Sequence, residues 1–340
     1  MSPAPIIEVV DVAKSFALGR EGLLGRRMTL RALAGVNLTV LAGDTLGIVG
    51  ESGCGKSTLA RVMVRLLRPD SGRVLFRGRD LSGVDHSSDA RTRLQMVFQD
   101  PYSSLNPRMT VGSAIEEPLR AHRIVLGEEV VRERDRLMEC VGLSPHLAGR
   151  LPRELSGGQR QRVSIARALS LRPQVLIADE AVSSLDVSVR AQILNLLSDL
   201  RSELGLTLIF ISHDLSVVDH LCNRVAVMYL GRIVEVGRVA DVLGRSAHPY
   251  TRALVAAAPQ PVIGMRRRQP PLRGELPSPT NPPSGCGFRT RCPIVQSVCA
   301  VKEPPLVNLQ GGHLAACHFA AAAQAAPEGV GPPNDNANCR

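Results

Sequence analysis

Nine consecutive residues, Gly50-Glu51-Ser52-Gly53-Cys54-Gly55-Lys56-Ser57-Thr58, fit the pattern G-x-x-x-x-G-K-[ST] and together form a candidate nucleotide site. Glycines let backbone N–H groups curl around phosphate oxygens, and a helix starting there adds its partial positive charge. Lys56 then reaches the terminal phosphates, and the Ser57 hydroxyl ligates Mg²⁺. The bland alternative is a glycine-rich turn matching by chance. The apolar run Thr45–Val49 before it and the helical pattern Ser57–Leu67 after it supply the strand–loop–helix setting that argues against chance.

Two other apolar runs end in polar residues. Val175–Glu180 (VLIADE) ends in paired carboxylates. At a strand's C-terminal end Asp179 would hold Mg²⁺ through water, and Glu180 would polarise an attacking water. Alone, such a pair is more often a surface turn; with a phosphate loop upstream the balance reverses. LIFISHD ends at Ser212, His213 and Asp214, where His213 either contacts a γ-phosphate or is a satisfied hydrogen-bonding histidine. Ser156-Gly157-Gly158-Gln159, within LSGGQRQRVSIARAL, opens a long helix and is a second anion cradle. One nucleotide does not need two cradles in one chain. Dimerisation is the economical answer, each cradle closing over the nucleotide held by the other subunit.

Of eight cysteines, Cys54 lies in the phosphate loop, Cys140 and Cys222 read as small buried hydrophobes, and Cys339 falls near the C-terminus. Cys286, Cys292, Cys299 and Cys317 remain, spaced C-x5-C-x6-C-x17-C. Disulfides do not suit a reducing cytoplasm, and structural zinc favours tighter pairs. An iron–sulfur cluster, zinc and unliganded thiols all stay open on spacing alone.

Short apolar runs alternating with helical patterns predict an α/β architecture. Strands are expected at Ile6–Val10, Val36–Val40, Thr45–Val49, Arg73–Phe76, Gln95–Phe98, Val175–Ala178, Thr207–Ile211 and Arg224–Met228. Val187–Leu204 carries an apolar stripe at helical spacing, and the pattern from Val111 to Ala168 is mostly helical. The expected organisation is an α/β unit carrying the phosphate site over 1–258 with a helical subdomain at about 100–170. A Pro- and Gly-rich crossing begins at Pro259 and leads into a cysteine-bearing extension to 320. A low-complexity tail over 321–340 predicts disorder.

Apolar residues are 44% and charged residues 21%, ordinary for a globular protein. The first residues lack a secretory signal, and no window reaches the ~18 to 20 apolar residues of a membrane helix. A cytoplasmic chain, at most peripheral to a membrane, is expected. The net charge of +10 fits nucleic acid or anionic lipid equally. With 3% aromatics and no Trp, base-stacking platforms are scarce.

With these residues in place, roughly residues 6 to 320 resemble the ATP-binding subunits of ABC transporters. GESGCGKST resembles the Walker A motif, LSGGQ the signature, VLIADE Walker B and SSLD, ending at Asp186, the D-loop. Gln99 in MVFQDP resembles the Q-loop glutamine, implying a catalytic and Mg²⁺-binding role, and His213 the switch histidine. Phe16 stands where the family stacks an aromatic on adenine; otherwise it is a core residue at a strand end. The implied fold is an α/β ABC-type P-loop ATPase core with an antiparallel β subdomain, an inserted helical subdomain and a small Cys-rich C-terminal domain.

FQDPYSSLNPRMTV, DVSVRAQILNLL, MYLGRIVE, HPYTRAL and LRGELPSPTNPP resemble the dipeptide, oligopeptide and nickel importer ATPases. The stretch GREGLLGRRMTLRAL resembles the insertion of their F-type member. The resemblance implies ATP and Mg²⁺ as ligands and a heterodimer with a paralogous D-type ATPase subunit. It also implies two membrane permease subunits, an extracytoplasmic solute-binding protein, and a place on the cytoplasmic face of the inner membrane. It favours a 4Fe-4S cluster at the four cysteines, with zinc as the alternative. Nickel chelates, glutathione and related solutes compete with peptides as cargo. The family's DEPVSALD is DEAVSSLD here; Ala181 removes a φ-fixing proline and Ser184 adds a hydroxyl. ABC ATPases that act on nucleic acid carry two cassettes or a coiled coil, and this chain has one cassette and no heptad run. The importer-like context argues against a role in iron–sulfur assembly.

Overall fold

The computed structural model describes residues 4–20, 27–82, 89–100, 104–258 and 274–321. The Pro/Gly-rich crossing up to residue 273, the basic run Arg266–Arg268, most of the GREGLLGRR stretch and the tail with Cys339 lie outside them.

Two sheets organise the chain. The first is antiparallel, in the order β2 (Arg27–Leu41), β1 (Pro5–Arg20), β4 (Ser71–Phe76), β5 (Arg79–Asp80). The β1–β2 hairpin runs well beyond the expected Ile6–Val10 and Val36–Val40. Its outer half carries Lys14, Ser15 and Arg31, which break the apolar pattern, yet the backbone keeps pairing through several register shifts. An antiparallel ladder with a wet face tolerates such polar residues.

The second sheet has eight strands. β3 (Thr45–Val49), β8 (Thr207–Ser212), β7 (Val175–Asp179) and β6 (Leu94–Val97) run parallel, and β9 (Arg224–Tyr229) is parallel to β3. β10 (Arg232–Arg238), β12 (His313–Ala315) and β11 (Val307–Gln310) complete one antiparallel edge. Every residue of β3, β7 and β8 is buried, which is why these strands read as unbroken apolar runs. Side chains alternate between two cores: Leu176 and Ala178 face one, Val175 and Ile177 the other.

Helix α1 (Lys56–Met63) packs between the sheets. A short helix α2 (Asp89–Arg93) precedes β6. Between β6 and β7 come α3 (Val111–Ala121), α4 (Glu129–Cys140), two 3₁₀ turns and α5 (Gly157–Leu169). No strand interrupts this stretch among the described residues, as the helical pattern predicts. Then follow α6 (Val187–Leu204), α7 (Leu215–Leu221), α8 (Val239–Gly244) and α9 (Pro249–Ala257). No described helix is long and apolar enough to cross a membrane.

Residues 274–321 hold a short helix α10 (Val298–Val301) and the β11–β12 hairpin. β12 pairs with β10, Glu235 opposite Ala315 and Val236 opposite Leu314, so the extension shares the sheet of the core.

Candidate functional site

Parallel pairing brings three strand ends to one edge of the sheet: Val49 lies opposite Ser212, and Asp179 opposite Ile211. The loop after β3, the carboxylates after β7 and the histidine after β8 therefore share a neighbourhood. Gly50 and Gly55 have φ of 153° and 109°. A Cβ on Gly50 would overlap the Met228 carbonyl oxygen, and one on Gly55 that of Ala32. The loop thus packs where no side chain fits. Lys56, 4% exposed, starts α1 and donates to the carbonyls of Gly50 (2.8 Å) and Glu51 (3.1 Å). Ser52 and Gly53 are exposed, Thr58 is half-buried, and burial raises the pKa of the Cys54 thiol.

Ser57 donates its hydroxyl to Asp179 Oδ1 at 2.9 Å. Asp179 is 2% exposed, and burial lifts its pKa above the usual carboxylate range, with the Ser57 bond opposing. A hydroxyl facing a buried carboxylate is an all-oxygen donor pair that suits Mg²⁺. One residue on, Glu180 accepts from Gln99 Nε2 at 2.8 Å and lies 3.6 Å from His213 Nδ1. Glu180 has a φ of +46°, in the left-handed region that non-glycine residues seldom occupy. Its N–H donates to the Ile211 carbonyl, and its own carbonyl accepts from Ser183 Oγ. These bonds hold the strained residue in place, as strained residues at functional sites generally require. A niche of about 20 Å³ bounded by Glu180, Ser212, His213 and Asp214 has room for one water.

Ser156 caps α5: its Oγ accepts from the Gln159 N–H and its own N–H donates to Gln159 Oε1, a reciprocal capping box. A Cβ on Gly158 would come within 2.5 Å of Val189 on α6, so this glycine lets the helices meet. The hydrogen bonds of Ser156 and Gln159 are local to that turn. Asp186 stands at the N-cap position of α6 without a side-chain capping bond and is exposed, like Ser184 and Val187; Ala181 is buried. Phe16 is half-buried on β1, with Lys14 Nζ 5.8 Å from its ring centroid.

These placements unite Gly50–Thr58, Gln99, Asp179, Glu180 and His213 and leave the Ser-Gly-Gly-Gln turn on a different element. A family model for ABC transporters matches residues 33–183, and one for the C-terminal region of oligopeptide/dipeptide transporters matches 234–299. The chain is 55% identical over 323 residues to "Probable peptide ABC transporter ATP-binding protein y4tS" of Sinorhizobium fredii, covering 94% of this chain and 92% of that one. The chain belongs to the ATP-binding proteins of ABC transporters. It is also 47% identical to the oligopeptide transport ATP-binding protein AppF of Bacillus subtilis, over 92% of this chain and 97% of that one. A solved ATP-binding cassette, a dimer in a post-hydrolysis state with ADP and phosphate, matches with a TM-score of 0.61 at 29% identity. That match covers 68% of this chain and 98% of the other. The protein is an ABC-type ATPase.

The sequence reading missed two residues that touch the ATPase loop. Tyr250, fully buried in the first turn of helix α9, accepts the Glu51 N–H at 2.9 Å. Arg291 in the C-terminal extension forms a bidentate pair with the Glu51 carboxylate at 2.8 and 3.0 Å. Tyr250 lay within HPYTRAL, which carried a resemblance but no role, and Arg291 had no assigned task.

All seven described cysteines are free. Burial pushes Cys292 up to about 11, and Cys286, Cys317 and Cys299 each push the same way. Cys286 and Cys317 are also raised, by burial first and neighbouring thiols after. A Cβ on Gly285 would overlap the Cys299 carbonyl oxygen, the same carbonyl that accepts from the Cys286 N–H at 2.8 Å. Among the described residues no His, Cys, Asp or Glu group is arranged as a ready metal site.

Proposed function

We propose that this ABC ATPase energises the import of peptides. It would do so as one subunit of a heterodimer with a paralogous ATPase, beneath two membrane permeases served by an extracytoplasmic solute-binding protein. The observation that carries the ATPase chemistry is the convergence of Ser57–Asp179 and Gln99–Glu180–His213 on one sheet edge. Support for peptides comes from the relatives, named as peptide and oligopeptide transport ATP-binding proteins, and from the match to the oligopeptide/dipeptide transporter region. Nickel chelates and glutathione are the alternative cargoes.

In this reading Lys56 and the N–H groups of Gly50–Thr58 hold the phosphates, and Phe16 stacks on adenine. Bound Mg²⁺ would neutralise charge developing on the transferred phosphoryl group, with Ser57, Asp179 and Gln99 as its protein-side donors. Glu180 orients the attacking water, Gln99 holds the carboxylate's other oxygen, and His213 stands beside it. Ser156–Gln159 and Asp186 complete the partner's site, so closure of the dimer places donors from two chains around the phosphate. The similar solved cassette is itself a dimer, which supports pairing of two ATPase subunits.

The soft thiol set Cys286, Cys292, Cys299 and Cys317 suits a 4Fe-4S cluster, or zinc as the alternative, in a Cys-rich terminal unit. Anaerobic purification then gives brown protein absorbing near 400 nm, roughly where thiolate-to-iron charge transfer falls. Colourless protein carrying zinc, or no metal at all, overturns the cluster.

The transport reading is tested by reconstituting the chain with its permeases and partner in vesicles and following ATP-driven uptake of labelled peptides. Lys56→Ala abolishes uptake. A chain that never co-purifies with membrane subunits overturns the transporter role, and uptake of nickel chelates or glutathione without peptides overturns the cargo class.

A further inference from the structure

Glu51 is an awkward residue for a loop that must bind phosphate. Its carboxylate adds a negative charge to a cradle built for anions, next to Lys56 and the start of α1. The geometry shows how the chain handles that charge. Arg291, 240 residues away in sequence, meets the carboxylate with two N–H···O bonds, and its side chain is only 6% exposed. Those bonds raise the guanidinium's pKa further. The backbone N–H of Glu51 is held separately by the Tyr250 hydroxyl at 2.9 Å.

Both anchors are themselves fixed. Tyr250 and Phe288 are buried with ring centroids 5.5 Å apart, and Tyr229 packs on both at 4.6 and 5.3 Å. Phe288 lies three residues before Arg291, so the aromatic cluster seats the segment that carries the arginine. At the start of α9, fully buried Glu235 accepts from the N–H groups of Ala247 and His248 and pairs with His313 of β12 at 2.7 Å. The extension thus reaches the phosphate loop by a direct ion pair and by a buried polar chain ending in Tyr250.

We infer that Arg291 is a positioning residue for ATP binding, neutralising Glu51 and holding it away from the phosphates, so that the C-terminal extension tunes the nucleotide affinity of the core. This rests on Gly50–Thr58 being the ATP site. A fork-shaped guanidinium fits the task because it binds a carboxylate through two parallel bonds, which an ammonium does not.

The discriminating experiment is charge rescue. Binding of trinitrophenyl-ATP to the full-length chain is measured for the parent, Arg291→Ala, and Arg291→Ala combined with Glu51→Gln. The single variant, with a bare carboxylate at the cradle, weakens binding about tenfold, and the double variant returns to within about threefold of the parent. In the assembled ATPase the same loss appears in KM with kcat little changed. A residue that merely supports the fold gives neither rescue nor that split. If Arg291→Ala lowers the melting temperature too far to assay, Arg291→Gln with and without Glu51→Gln makes the same comparison. Unchanged affinity in the single variant, or no rescue in the double, overturns the inference. Lys56→Ala in the same assay separates the two layers: if it binds like the parent, the ATP-site reading itself fails.

Discussion

Replacing Glu180 with Gln changes one atom of the site and its consequence can be worked from the geometry. Glu180 Oε2 accepts from Gln99 Nε2 at 2.8 Å, while Oε1 faces His213 at 3.6 Å and the water-sized niche. The amide keeps the shape. With its oxygen toward Gln99 the existing bond survives, and the NH₂ then points to the niche, where it can neither accept a water's proton nor orient its lone pair. Removing a positioned general base costs about 10² to 10⁴ in rate. That corresponds to about 2.7 to 5.4 kcal/mol in the barrier. The phosphate loop, Lys56 and the Ser57–Asp179 pair are untouched, so nucleotide affinity should move less than about threefold, under ~0.7 kcal/mol. The assay is single-turnover phosphate release in the assembled ATPase, with the partner's own site inactivated so that only this site reports. Gel filtration with ATP should show the variant retained as a closed dimer. Hydrolysis within about tenfold of the parent refutes Glu180 as the water-orienting group. A large loss of affinity refutes the separation of binding from chemistry.

Two further outcomes follow from the fold. His248 is buried and its pKa is depressed to about 4, chiefly by burial, with Glu235 opposing. Between that value and the unfolded 6.5 the unfolded chain binds more protons, so stability rises with pH across the window and is lost as pH falls through it. The full loss is about 3 kcal/mol. His248→Asn keeps an acceptor for the Tyr250 N–H, now at 3.0 Å, and should flatten the melting temperature between pH 6.5 and 4; a profile identical to the parent's refutes the assignment. Gly55→Ala places a Cβ against the Ala32 carbonyl at a φ of 109°, so ATP binding should fall at least about tenfold while the far β11–β12 edge is unaffected. Parent-like affinity in that variant shows that the loop relaxes at no cost.

What could be read in the sequence and what could not divide along a physical line. β3, β7 and β8 are buried on both faces, and that burial leaves unbroken apolar runs whose polar ends stand out. The phosphate loop was legible because its chemistry imposes residue types at short fixed spacing. The outer half of the β1–β2 hairpin was not, since a wet antiparallel ladder accepts Lys14 and Arg31 without leaving a pattern. The pairing of β10 with β12 went unread because two register pairs between distant segments leave no periodicity at all. Least legible was the pair at Glu51, which spans 240 residues. Within G-x-x-x-x-G-K-[ST] the glycines, the lysine and the hydroxyl are dictated by phosphate, whereas the x positions are free to answer to the surrounding protein. Glu51 is one of those x positions, and Cys54, whose carbonyl accepts from the Gly231 N–H, is another. A motif's unspecified positions are therefore where a particular chain attaches its own structure to a shared chemistry, and here the attached structure is the C-terminal extension.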